Sequence, residues 1–249
     1  RTAKVYSNLQ REPYVAILDE AAQLGMAVTG HTPEGVRTAG IPAERPFDIA
    51  WEESLGRGFT TLEHVETIVW HGLRDELSES RMRDLAARLA ESGEPVTPTL
   101  IAHRRLVLIA ESDGAYLERP GSDTINPFMR FVEQGAEAYW SGADASGYER
   151  PHTDFFVTAT GLLHDAGVPL VAGTDAGGFG IIPGASLARE LELLVDAGLS
   201  PHEALAAATR VSADVLGFDE TGRIAPGYRA NLTLLPADPL QDVGAVEEP

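Results

Sequence analysis

Residues 167–177 read Gly-Val-Pro-Leu-Val-Ala-Gly-Thr-Asp-Ala-Gly, an apolar run that ends on an acid set between glycines. A turn is the simplest explanation of Thr174-Asp175, because Asp and Gly are common turn residues. The alternative is a buried strand of a parallel sheet with Asp175 at its carboxyl end, where α/β enzymes place functional residues. The remainder of the sequence distinguishes the two.

Five apolar, strand-like segments alternate with helical patterns along the chain, and strands that are apolar on both faces indicate a parallel sheet covered by helices. The strand-like segments are residues 3–6, 26–30, 59–63, 95–100 and 168–174. The helical patterns are residues 11–24, 46–56, 78–92, 153–166, 187–194 and a helix beginning with a capping box at Ser200. Residues 101–150 are typical of a less regular insertion, and residues 231–235 of a final strand. The sequence therefore predicts an α/β fold.

Composition excludes several classes of protein. The chain has 249 residues, 43% of them hydrophobic and 23% charged, which is enough for a globular core. The net charge of −19 argues against nucleic acid or anionic membranes as partners. No apolar run is long enough to span a bilayer. There is no cysteine, so any metal has to be bound by His, carboxylate or modified Lys.

Three candidate ligands stand at the carboxyl ends of predicted strands, namely His31, His64 and Asp175. One histidine at a strand end is usually a satisfied polar residue. Two histidines and an aspartate at equivalent ends instead favour a divalent Zn-like or Mn-like metal, because imidazole and carboxylate on rigid strands suit such ions.

Lys4 is the single lysine among 19 basic residues, and it lies in the first predicted strand. A solvent-exposed lysine that was retained by chance would explain this single occurrence. A lysine amine can also react, whereas arginine stays protonated. Carrying CO2, it becomes a carbamate, an anionic two-oxygen ligand that can bridge two cations and that arginine cannot replace.

An ordered set of motifs resembles the metal-dependent amidohydrolase superfamily, and within it the imidazolonepropionase-like and Xaa-Pro dipeptidase-like (prolidase-like) branch. The resemblance covers nearly the whole chain. Its motifs are A-K-V-Y (3–6), G-H-T (30–32), T-L-E-H (61–64), P-T-L (98–100), the run at 167–177, the helical stretch E-L-E-L-L through A-A-A-T-R (190–210) and G-R-I-A-P-G-Y-R-A-N-L (222–232).

The resemblance implies a (β/α)8 TIM barrel with a small β-sandwich. Residues 1–221 would form barrel strands 4 to 8, and residues 222–249 would return to the sandwich. Lys4 would match the carboxylated bridging lysine of strand 4, and His31 and His64 the ligands of strands 5 and 6. Asp175 would match the strand 8 aspartate, which binds a metal and takes a proton from the attacking water.

The same resemblance implies one or two divalent ions, with Zn as the first choice and Mn or Fe as alternatives, and CO2 held as the lysine carbamate. The substrate would be a small amide or dipeptide-like molecule, contacted by Tyr6, His103 and Arg104. We expect His71 to be a surface residue. A homo-oligomer is compatible with the sequence, and a cytoplasmic location is favoured over the alternatives.

Two departures from the family pattern affect this reading. The family supplies an H-x-H pair from strand 1, and this sequence has none. Because the chain begins at Arg1 rather than at Met, we expect strands 1 to 3 to lie upstream; a degenerate descendant is the alternative. Residues 179–186 also lack the histidine that dipeptidase-like relatives place after the strand 8 aspartate, which weakens the peptide assignment.

Three functions remain open from the sequence. The first is hydrolysis of an amide, cyclic amide or dipeptide bond by metal-activated water. The second is a lactone or ester hydrolase on the same scaffold. The third is a non-catalytic binding protein derived from the family.

Overall fold

A four-stranded parallel sheet is the framework of the computed structural model, which describes residues 1–33 and 49–247. Its strands lie side by side in chain order: β1 (Thr2–Val5), β2 (Ala27–Gly30), β3 (Thr61–Glu63) and β4 (Val96–Thr97). All three pairings are parallel, so the carboxyl ends of the strands share one edge of the sheet. The first four predicted strands are confirmed; β1 is displaced by one residue, and β2, β3 and β4 are shorter than their apolar runs.

Helices connect the strands. They are α1 (Arg11–Leu24), α2 (Trp51–Ser54), α3 (Val65–Thr67) continued by a π-helix (Ile68–Gly72), α4 (Glu79–Ser92), α5 (Leu100–Glu111), α6 (Pro127–Ser141), α7 (Glu149–Asp165), α8 (Ala185–Asp196), α9 (Pro201–Ala208) and α10 (Arg210–Leu216). The predicted capping box is confirmed at α9, where Ser200 N donates to the Glu203 carboxylate at 2.8 Å and Glu203 N donates to Ser200 Oγ at 3.3 Å.

The chain divides into two compact units, and helices α7 and α9 contribute residues to both. The first unit takes in the described residues within 1–98, 158–171 and 206–231. Its core lies on the sheet, where Val5, Val28, Leu62 and Val96 are buried. Helix α1 adds buried side chains such as Tyr14, and α4 buries its apolar face. The amphipathic spacing read from the sequence therefore marks the faces that cover the sheet.

The second unit takes in the described residues within 99–157, 172–205 and 232–249 and is helical. Helix α5 packs against α6 and α8, and α8 packs against a short 3-10 helix, Val243–Glu247. Glu190 on α8 is fully buried, and its carboxylate accepts the backbone N–H groups of Leu100 and Ile101 at 2.9 and 2.8 Å. This contact supplies acceptors at the start of α5, whose N-cap residue Thr99 makes no side-chain cap bond.

The fifth predicted strand, residues 168–174, is confirmed in its parallel pairing but is wrong in its length. It forms a single parallel bridge, Leu170 to Val96, with Val96 N donating to Pro169 O and Val171 N to Val96 O, both at 2.9 Å. Strand β4 has only two residues, so it cannot pair with a longer segment of a neighbouring strand.

The irregular insertion predicted for residues 101–150 is also wrong, because α5, α6 and the start of α7 occupy most of it. Its glycines and aspartates are concentrated in the turns between these helices, for example at Asp113-Gly114 and Gly142. The average composition of residues 101–150 did not reveal that helices and turns occupy separate parts of the segment.

Two smaller predictions also change. Residues 231–235 form no strand; they are mostly exposed, Leu234 by 91%, and no described strand pairs with them. The helix predicted over 46–56 is seen only as α2, and residues 46–48 lie outside the described part. No helix among residues 1–33 and 49–247 is long and apolar enough to cross a membrane.

Candidate functional site

Three neighbouring strands of the first unit bring predicted site residues together at their carboxyl ends. Lys4 lies on β1, His31 directly follows β2, and His64 directly follows β3. The rings of His31 and His64 are 4.5 Å apart between centroids, and the Tyr6 ring lies 4.5 Å from that of His31. Both histidines are buried, 7% and 4% exposed, so the pair is shielded from bulk water.

Glu63, the last residue of β3, joins this group and was not predicted from the sequence. Its Oε2 accepts an ion-paired hydrogen bond from Lys4 Nζ at 2.7 Å and lies 3.8 Å from His64 Nε2. Its Oε1 accepts a hydrogen bond from the Thr29 hydroxyl. Thr29 is opposite Lys4 across β1 and β2 and opposite Thr61 across β2 and β3. The Glu63 carboxylate, two residues beyond Thr61, therefore reaches diagonally across the sheet to both Thr29 and Lys4.

The neighbours of Glu63 keep its carboxyl group ionised. Burial raises the pKa of the carboxyl, but the hydrogen bonds from Lys4 and Thr29, the Lys4 charge and His64 together lower it below its ordinary value. Glu63 is therefore an anion at neutral pH, facing the lysine and one histidine.

His64 has a strained backbone, with φ of 72°. Side chains alternate across a strand, so consecutive residues such as Glu63 and His64 should point to opposite faces. The positive φ at His64 breaks the alternation, and the two side chains come within 3.8 Å of each other. Such strain persists where surrounding contacts hold it, often at functional sites.

A second acid, Glu66 on α3, lies beside His64. It is 4% exposed, and its Oε1 is 3.8 Å from His64 Nδ1, on the side of the ring opposite Glu63. His64 thus lies between two carboxylates.

His71 is buried, 1% exposed, which corrects the expectation of a surface residue. Its Nδ1 is 2.9 Å from Thr32 Oγ1 and its Nε2 is 2.8 Å from Ile49 O. His71 therefore links Thr32, which follows His31, to Ile49, which precedes α2. The π-helix turns His71 inward, a local irregularity that no sequence spacing signals.

The other predicted site residues belong to the second unit. Asp175 is exposed, has a positive φ of 55° and lies in the irregular segment that follows the Leu170 bridge. His103 and Arg104 lie on α5 rather than in a loop. His103 packs edge-on against Phe156 at 5.5 Å, and Arg104 pairs with Asp154 at 2.6 Å.

Residues 9–248 match the amidohydrolase family. This span is nearly the whole chain. The chain belongs to the amidohydrolase family.

Curated relatives within this family align over part of the chain. An imidazolonepropionase of Cereibacter sphaeroides is 41% identical over 81 residues, which are 30% of this chain and 19% of that protein. An ochratoxinase of Aspergillus niger is 36% identical over 87 residues, which are 34% of this chain and 17% of that protein.

Solved amidohydrolases share the fold. A Xaa-Pro dipeptidase with methionine bound in its active site superposes with a TM-score of 0.59 at 20% identity, over 98% of this chain and 50% of that one. A bottromycin amidohydrolase gives a TM-score of 0.60 at 24% identity, over 88% of this chain and 47% of that one. The fold is thus part of the amidohydrolase type of (β/α)8 barrel, and the chain spans about half the length of these structures.

Family membership implies a divalent metal, and the donor chemistry of the strand-end group fits one in part. His31 and His64 offer two buried imidazoles side by side, and imidazole nitrogens are donors that Zn-like ions prefer. Across residues 1–33 and 49–247, however, no three His, Asp or Glu side chains are arranged to hold an ion. With Lys4 paired to Glu63, these residues form a partial ligand set.

Proposed function

We propose that the protein is a metal-dependent hydrolase that cleaves a carbon–nitrogen bond in a small amide, cyclic amide or dipeptide-like substrate. Lys4, His31 and His64 would hold the metal, Lys4 as a carbamate, and Asp175 would bind it and act as the catalytic proton acceptor. Zn is the ion we propose first, with Mn or Fe as alternatives.

The contact between His31 and His64 carries this proposal. Two imidazoles with ring centroids 4.5 Å apart, both buried and both at the ends of adjacent parallel strands, are poorly explained as independent core residues. Imidazoles held side by side on adjacent strand ends are donors that one shared cation would bind together. The match of residues 9–248 to the amidohydrolase family supports the same conclusion.

Lys4 supports the carbamate because of its position and exposure. Its side chain is 42% exposed, so CO2 can reach the amine, and Glu63 beside it is an anion. Formation of the carbamate would replace an ammonium by an anion, so the Lys4–Glu63 ion pair would have to open. In the described geometry Glu63 is therefore the group that holds the amine while it is unmodified.

A bound divalent metal would supply Lewis-acid polarisation of a carbonyl and a lower pKa for a water molecule. The chain's own residues would do the rest. The Asp175 carboxylate would accept the proton of the attacking water and pass it to the leaving nitrogen, because an amide nitrogen leaves poorly unless protonated. Tyr6, beside His31, and His103 and Arg104 on α5 are the side chains we propose as substrate contacts.

Metal content of the purified protein tests the proposal. We expect at least one divalent ion per chain, measured by inductively coupled plasma mass spectrometry after exhaustive dialysis. The variants His31→Asn and His64→Asn should retain less than half of it, because each removes one donor to a shared ion. Lys4→Arg, which keeps the charge but cannot form a carbamate, should also lose metal.

His202→Asn is the matched control, because His202 is an exposed histidine on α9. It should keep the full metal content, and circular dichroism should show that all variants are folded. In the same series, Asp175→Asn should lower turnover of amide and proline-containing dipeptide substrates at least about a hundredfold. Less than one ion per chain in the unaltered protein, or near-normal turnover by Asp175→Asn, would overturn the proposal.

A further inference from the structure

Helix α6 carries a continuous apolar stripe that faces solvent. The outward stripe consists of Phe128, Phe131, Val132, Gly135 and Tyr139. Their spacing of three and four residues places them on one face of the helix. Phe128, Phe131 and Tyr139 are each 68% exposed and Val132 is 58% exposed. Single exposed apolar residues are ordinary, but a contiguous group of four on one helix is typical of an interaction surface.

The opposite side of α6 makes the polar contacts to its own unit. Glu133 accepts a backbone hydrogen bond from Phe179, close to the Arg105 guanidinium. Arg130 lies 3.5 Å from the Glu118 carboxylate. An amphipathic helix normally turns its apolar side inward and its charges outward. In helix α6 the inward side holds partly buried apolar and charged residues, while the four most exposed apolar side chains lie on the outward side, where they are available to a partner.

Gly135 lies at the centre of the outward stripe, and the protein's own packing does not require it. A Cβ at this position would meet no atom within 4 Å, and the residue is helical, with no positive φ. Glycine in a helix interior is destabilising relative to alanine. A glycine that nothing in the chain explains, flanked by aromatic residues, fits the close approach of a second helix.

We propose that the outward stripe of α6 forms the core of a two-fold homodimer, in which two copies of the helix cross antiparallel at Gly135. The same patch then serves both copies, as two-fold symmetry demands. Phe131 and Tyr139 lie four residues on either side of Gly135, so each Phe131 meets Tyr139 of the second copy. The crossing residues carry no charge.

The area of the stripe matches a weak dimer. An aromatic side chain presents about 200 Å², so the exposed fractions leave roughly 500 Å² of apolar surface on each copy. Two copies would bury roughly 1,000 Å², which is the lower limit for a specific interface. The chain carries −19, so repulsion opposes association and added salt should tighten the dimer by screening it.

Sedimentation velocity from about 1 to about 200 µM protein tests the proposal, because this range brackets a micromolar dissociation constant. We expect a concentration-dependent dimer that is tighter at 0.3 M than at about 0.03 M NaCl. Phe131→Glu should weaken it at least about a hundredfold, because a charge would be buried at the crossing. Gln134→Glu is the control: it adds the same charge to the same helix outside the stripe and should weaken dimerisation far less.

Gly135→Ala separates an interface from a merely structural role. Since a Cβ fits within the single chain, this variant should raise the melting temperature of the monomer through helix propensity. It should at the same time weaken the dimer by about tenfold, because the Cβ would separate the two helices. A more stable monomer together with a weaker dimer would indicate that the two helices approach closely at residue 135.

The absence of cysteine allows a direct measurement of the geometry. A Gly135→Cys variant should form an intermolecular disulfide under mild oxidation, because the two-fold axis brings both copies of residue 135 together. Gln134→Cys, one residue away but about 100° round the helix, should cross-link much less. A protein that stays monomeric at the highest concentration, or cross-linking that is equal at the two positions, would overturn the proposal.

Discussion

At the scale of single residues, Gly30 determines how closely β1 and β2 approach beside the candidate site. A Cβ at this position would lie 2.1 Å from Val5 O, and the φ of Gly30 is 124°. The next residue, His31, donates its backbone N–H to the same Val5 oxygen at 3.1 Å. The glycine therefore permits the contact that places the His31 side chain next to Tyr6 and His64.

We expect Gly30→Ala to lower the free energy of unfolding by about 2 to 5 kcal/mol, combining backbone strain with a steric clash. Urea unfolding followed by circular dichroism measures it. Gly25→Ala is the matched control, since Gly25 has a φ of 60° but no atom within 4 Å of its Cβ position. It should lose only about 1 kcal/mol. Equal losses at the two positions would mean that the approach of β1 to β2 is not what selects Gly30.

Sequence reasoning could predict which residues gather at the sheet edge but not all of their neighbours. Lys4, His31 and His64 follow from the rule that parallel strands end at one edge, and the described geometry brings them together through Glu63. Glu63 itself was missed because strand alternation directs it away from His64. Only the positive φ at His64 removes that objection, and a histidine carries no sequence signal for such a conformation.

At the scale of secondary-structure elements, a carboxylate from one helix caps another. Glu190 on α8 accepts both the Leu100 and Ile101 N–H groups at the start of α5, and it is fully buried. The first N–H groups of a helix have no partner within the helix, so this contact satisfies two of the four and complements the helix dipole.

Replacing Glu190 by Gln should lower the free energy of unfolding by about 1 to 3 kcal/mol, because one buried N–H would then face an NH2 group instead of an acceptor. Thermal and urea unfolding, followed by circular dichroism, would measure the loss. Glu192→Gln offers a comparison on the same helix, since Glu192 is partly exposed and pairs with Arg189. If the two variants were equally stable, the α5 cap would not depend on Glu190.

The elements that sequence patterns identified best are those with one clear period. Helix α1 has the predicted bounds and α4 begins one residue later than predicted, because each has a single apolar face and ends at a glycine in the left-handed conformation. Helix α6 was missed although its apolar residues recur at helical spacing, because the glycines and aspartates of the turns on either side led residues 101–150 to be treated as one irregular segment. The short strands after residue 95 were overestimated, since an apolar run does not reveal how many partner residues are available.

At the scale of the whole molecule, charge is the property that the composition determines directly. Acidic residues outnumber basic ones by 38 to 19. Most ion pairs among residues 1–33 and 49–247 are at the surface, such as Arg11–Glu53 and Arg223–Asp214, and pairs of this kind contribute little. Repulsion among the excess carboxylates therefore outweighs the attraction of these pairs and destabilises the folded chain.

Added salt should consequently stabilise the protein rather than weaken it. Between about 0.01 and 0.15 M NaCl the screening length falls from about 30 to about 8 Å, which removes long-range repulsion but leaves pairs in direct contact largely intact. We expect the melting temperature to rise over this range at pH 7, measured by calorimetry at a low protein concentration where association is negligible. The rise should shrink towards pH 4.6, the isoelectric point, because the excess charge disappears there. A melting temperature that falls with salt at pH 7 would instead mean that the surface ion pairs dominate the electrostatics of the fold.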